Sequence, residues 1–190
     1  MRAVAILSLI LLASPGVAQM HGQGGGHGMG GMGQHHGADG TGHDEVNMPG
    51  LRGLDATPEE SGELMVMFHH FDTLSREVEN LPNGIRTVTT SSDPMVMQVL
   101  VSHVTGMIQR VEEGRDPKVM IQSPTLDILF ARPEAIETDI EITDAGIVVT
   151  QTSNDPEMVA ALHTHAAEVS DMAARGMQAV HERMMRQAGN

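Results

Sequence analysis

An α+β fold is predicted for this chain: a two-layer sandwich in which a four-stranded antiparallel sheet carries two long helices on one face. Three observations predict it. Residues 61 to 114 align with residues 123 to 176 without a gap, and 13 of the 54 pairs are identical, so the chain reads as an internal tandem duplication. The identities are Ser61, Leu64, Phe68, Glu79, Gly84, Ile85, Thr90, Ser91, Asp93, Pro94, Leu100, His103 and Gly114 with their counterparts 62 positions on. Each copy holds two short runs of β-branched residues around a turn signal, and each then enters a long apolar pattern of helical period behind an Asp-Pro pair. Two copies of helix, hairpin and long helix give one pseudo-twofold domain over residues 57 to 190, since neither copy is large enough to bury a core alone.

Residues 1 to 18 read as a secretory signal: Arg2, an apolar run from Ala3 to Ala13, and small residues at Gly16-Val17-Ala18 for cleavage after Ala18. The apolar run is too short to span a bilayer. The expected location is the periplasm or outside the cell. Residues 19 to 56 are rich in Gly, His and Met and poor in branched apolar residues, a composition expected to stay disordered.

The first copy opens at Thr57-Pro58-Glu59-Glu60, with a hydroxyl cap, Pro at the first helical position and acids in the first turn. This helix is expected to run to about Phe71, and its counterpart from Ser123 to Phe130. Strands are expected at Leu74 to Glu79 and Ile85 to Thr90, joined at Leu81-Pro82-Asn83-Gly84 through Asn-Gly. In the second copy Ile136, Thr138, Ile140 and Ile142 alternate with Glu137, Asp139 and Glu141, which predicts one covered and one wet face. The return strand is Ile147 to Thr152. By the same alternation Arg76 falls on the covered face of the first copy. Asp93-Pro94 and Asp155-Pro156 start the long helices, and Gly114 and Gly176 stand where they end or bend. A frayed amphipathic tail toward Arg186 follows the second.

Composition narrows the function. The net charge is −14, which argues against nucleic acid and anionic lipid surfaces as partners and for cations. The chain has no Cys, so it has neither disulfides nor thiolate metal sites. It has no Trp or Tyr and 3 Phe but 16 Met, so the core is aliphatic with methionine as filler. It contains no Gly-x-Ser-x-Gly, phosphate loop or His-Glu-x-x-His, and no catalytic residue is assigned.

The residue that carries chemistry in both copies is a histidine. On a helical projection Val96, Leu100, Val104, Met107 and Val111 lie within about 100° of His103, at the edge of a buried stripe. His165 repeats that placement, with Met158 and Met172 on either side. His163, two residues from His165, points elsewhere and is expected in solvent. If the long helices lie side by side, His103 and His165 line one crevice, and His69 and His70 reach its edge.

Three readings follow. Imidazole with thioether selects soft metal, so His103, His165, Met107, Met158 and Met172 form a candidate copper site. His21, His27, His35, His36 and His43 in the tail would capture ions, and a mature start Gln19-Met20-His21 offers a square-planar nitrogen set. The partners are then a metal ion and a periplasmic redox or metal-transfer protein. Alternatively His103 and His165 are axial ligands of haem, with Arg76 and Arg110 placed to hold an anion or its propionates, although an ion pair to Glu or Asp is the more ordinary role for each arginine. In the third reading the histidines are packing residues of an interaction module without cofactor.

Overall fold

The computed structural model describes residues 47 to 189. The expected leader and the histidines His21, His27, His35, His36 and His43 lie outside the described residues. Among the described residues no helix is long and apolar enough to cross a membrane.

Helix α1 (Pro58–His69) begins at the expected capping box: Thr57 N donates to Glu60 Oε2 at 2.7 Å, and Glu60 N donates to Thr57 Oγ1 at 3.2 Å. A short 3-10 turn leads into the hairpin β1 (Leu74–Leu81) and β2 (Gly84–Ser91), followed by α2 (Pro94–Glu112). The second half runs α3 (Thr125–Ala131), β3 (Glu137–Thr143), β4 (Gly146–Thr152) and α4 (Pro156–Arg175), and α5 (Met177–Ala188) completes the order. Asp93 caps α2 through the backbone N–H groups of Met95 and Val96, and Asp155 caps α4 through that of Glu157.

The sheet is antiparallel throughout, in the order β1-β2-β4-β3. Its two hairpins have one register: adding 62 to Leu81↔Gly84 gives Thr143↔Gly146. In the central β2 and β4 pair, Thr87 faces Val149, its own counterpart, and the ladder is symmetric about this point. The α+β sandwich is therefore as expected, with α4 over β1 and β2, and α2 over β2. Helices α1 and α3 pack on α2 and α4 in turn. Two clusters form the core: Met158, Leu162 and Ala166 of α4 against Ile85 and Leu129, and Leu100 of α2 against Ile147 and Val149.

Four expectations need correction. The hairpin turn is centred on Pro82-Asn83, with Gly84 already in β2, because Pro favours the second position of a type I turn and Gly the fourth. The chain is folded before Thr57: Met48 and Leu51 are buried, Gly53 bridges Val119, and backbone hydrogen bonds tie residues 50 to 55 to residues 117 to 121, so tertiary contacts anchor a stretch whose composition suggested disorder. The tail after Gly176 is a separate helix whose Ala179, Val180 and Arg183 are buried, since an amphipathic helix with a surface to dock on does not fray. Ile142 is 65% exposed at the far end of the edge strand β3, beyond the helices.

Candidate functional site

Between the helices and the sheet lies a cavity of about 310 Å³. Its floor is the inner face of the sheet, where Arg76, Thr87, Thr89 and Gln151 are polar. Its walls are mainly aliphatic, from α1, α2, α3 and α4, and all three phenylalanines, Phe68, Phe71 and Phe130, take part. His103 and His165 both line it, as do Met107 and Met172. Both histidines thus line one cavity, which is bounded by the sheet and several helices rather than by the two long helices alone. Met158 does not reach it: it is fully buried against Ile85 and Leu129. His69 and His70 are exposed at the end of α1 and take no part.

Burial pushes the His165 imidazole down to about 4, and Arg76 and Arg183 reinforce this by repelling its proton. His165 is therefore neutral at physiological pH and offers a lone pair. His103 Nδ1 stands 3.6 Å from Glu63 Oε2, an electrostatic contact too long for a hydrogen bond. His103, and also Ser102, hold the Glu63 carboxyl below the usual range, against a cost of partial burial. His163 is half-buried rather than in solvent. Its Nε2 lies 2.8 Å from Gly84 O and 3.1 Å from Leu81 O, which ties α4 to the first hairpin.

The arginines divide sharply. All five N–H donors of Arg110 are used: Nε and Nη2 on the Glu60 carboxylate, Nη1 on Asp55 Oδ2 at 2.8 Å and Arg115 O at 3.2 Å, and Nη2 on Asp55 O at 2.7 Å. This guanidinium clamps the chain before α1 to α2 and has no donor left for a cofactor. Arg76, in contrast, makes one hydrogen bond, from Nη1 to Thr89 Oγ1 at 2.7 Å, and its buried Nε has no partner. Burial pushes it down to about 10, so it stays charged at neutral pH. Arg183 donates from Nη2 to Ile121 O and likewise keeps an unpartnered, buried Nε.

Among the described residues, four buried side-chain polar atoms lack a hydrogen-bond partner: Arg76 Nε, His103 Nδ1, Glu168 Oε2 and Arg183 Nε. All four residues line this one cavity. Glu168 Oε1 accepts from Ser123 Oγ at 2.8 Å, which leaves its second oxygen free. Sequence reasoning missed Glu168, Arg183 and Glu63. Glu168 follows His165 by three positions on the same helical face, which was a legible signal. Arg183 follows Ala179 and Val180 at helical spacing, and only the docking of α5 brings it in.

No group of three or more His, Cys, Asp and Glu side chains converges as metal ligands among the described residues. Comparison with family models, curated proteins and solved structures finds no match for the chain.

Proposed function

We propose that this is an exported binding protein that holds a small organic ligand in the cavity between its helices and its sheet, without turnover. One observation carries the reading: every orphaned buried polar atom among the described residues belongs to a side chain on that cavity. Each such atom costs about 1 to 3 kcal/mol if left unpaired, and a binding site is where that cost is recovered. An aliphatic interior with a few convergent polar groups is the usual form of a small-molecule site.

Coordination through the histidines is the second reading, favoured by His103, His165, Met107 and Met172 on one cavity and by the neutral imidazole of His165. Within it the charges favour haem over copper, because Arg76 and Arg183 oppose a bare cation by the same repulsion that lowers His165 yet suit propionates, while a cavity of about 310 Å³ is small for a porphyrin. Copper then belongs to His21, His27, His35, His36 and His43.

An apolar fluorescent probe is expected to bind the mature chain one to one, and Val104→Phe, which fills the cavity from α2, to abolish uptake. A chain that takes up no probe, or one in which Val104→Phe changes nothing, removes the cavity reading. Titration with hemin on the same samples separates the alternatives: a Soret band lost in His165→Gln would make haem the ligand.

A further inference from the structure

The charged groups on the cavity do not balance. Two guanidiniums, Arg76 and Arg183, line it with one carboxylate, Glu168, and no ion pair links Glu168 to either arginine among the described residues. Arg76 rises from the polar floor, and Arg183, 8% exposed, enters from α5. Both line the same cavity as His165. Each has a buried Nε without an acceptor. A buried guanidinium normally finds a carboxylate or phosphate, as Arg110 does in this same chain with Glu60 and Asp55. Apart from the two histidines and the neutral polar groups Thr87, Thr89, Gln122, Ser123 and Gln151, the rest of the lining is aliphatic and aromatic.

We propose that the cavity binds an aliphatic monocarboxylate, its carboxylate between Arg76 and Arg183 beside His165 and its hydrocarbon chain among Leu100, Val104 and the phenylalanines. The proposal rests on the cavity reading above and gives its ligand a chemical class. Charge selects the head: an anion supplies the acceptors that both Nε–H groups lack and offsets the excess positive charge. Neutral His165 adds a ring nitrogen that can donate to the same carboxylate. Volume selects the tail. A cavity of about 310 Å³ equals the liquid volume of about ten waters and lies at the small end of ligand sites, which suits a medium-length chain.

The test compares decanoate, 1-decanol and decylamine, three probes with one tail and different heads, by calorimetry on the full mature chain. Decanoate is expected to bind at least about tenfold tighter than 1-decanol, with decylamine weakest, since charge-assisted hydrogen bonds are stronger than neutral ones. Arg76→Met and Arg183→Met should each weaken decanoate about tenfold while leaving 1-decanol unchanged. Equal binding of acid and alcohol, or tighter binding of the amine, overturns the carboxylate proposal and leaves the cavity reading standing. Binding of none of the three overturns both. The comparison of heads on the unsubstituted chain holds even if a variant does not fold.

Discussion

At the scale of the residue, what separates structure from function here is whether a buried group is satisfied. Arg110 and Arg76 were both readable from the sequence as inward-facing cations. An ion pair to Glu or Asp is the more ordinary role the sequence offers each; Arg110 makes it, with Glu60 of α1 and with Asp55, which the folding of residues ahead of α1 brings in, and Arg76 does not. Opposite responses to one substitution are expected. Arg110→Met should destabilise the fold by about 2 kcal/mol, below the roughly 3 to 5 kcal/mol of a fully buried broken pair because Glu60 and Asp55 are partly wet. Arg76→Met should be neutral or stabilising, since it removes a desolvated charge that lacks an acidic partner. Urea unfolding of the two variants decides this, and equal losses would remove the distinction. His165 gives a second prediction. Its folded value of about 4 lies below the ordinary 6.5, so the unfolded chain binds the proton more readily. Stability is then unaffected above pH 6.5, falls as pH drops from 6.5 to 4, and has lost about 3 kcal/mol by the lower limit. Chemical denaturation across that window should show the fall, and His165→Gln should flatten it down to pH 4.5. Near and below that value the unfolded chain takes up protons on Glu60 and Glu63 that their lowered carboxyls refuse in the fold, which brings its own loss.

At the scale of the element, the two hairpins show what sequence patterning reads and what it cannot. Alternation located all four strands to within a residue or two, and the Asp-Pro caps located the starts of α2 and α4, because both signals are local. The reason for Gly84 was misread, and Gly146 shares the actual one. They recur not to make the turn but to let β2 and β4 approach: a Cβ on Gly84 would overlap the carbonyl oxygen of Gln151, and one on Gly146 that of Thr89. That contact spans strands from different halves, so no local signal reports it. Gly84→Ala and Gly146→Ala should each destabilise the domain by about 2 kcal/mol or more, measured by thermal melting, whereas a pure turn glycine at the fourth position would tolerate alanine. Helix α5 teaches the same lesson. Its stripe of Ala179, Val180 and Arg183 was visible, but the surface it docks on was not.

At the scale of the whole molecule, a near-symmetric frame carries an asymmetric site. His103 and His165, Leu100 and Leu162, and the two hairpins obey the offset of 62 residues. The charged groups break it: Thr138 stands where Arg76 has its counterpart, Gly106 where Glu168 has, and Arg110 where Met172 has. The offset of 62 residues was legible in the sequence, and with it the four-stranded sheet and the helices packed on it. The departures from repetition, which give the cavity its polarity, were not, because only the assembled sheet and helices show which unmatched residues meet. The three phenylalanines belong to this level as well. Phe68, Phe71 and Phe130 are the only aromatic side chains besides histidine in the chain, and all three line the cavity. Incorporation of fluorinated phenylalanine would therefore yield a fluorine spectrum of three resonances, each reporting from the interior with no surface background. The protein carries its own spectroscopic window on whatever enters it.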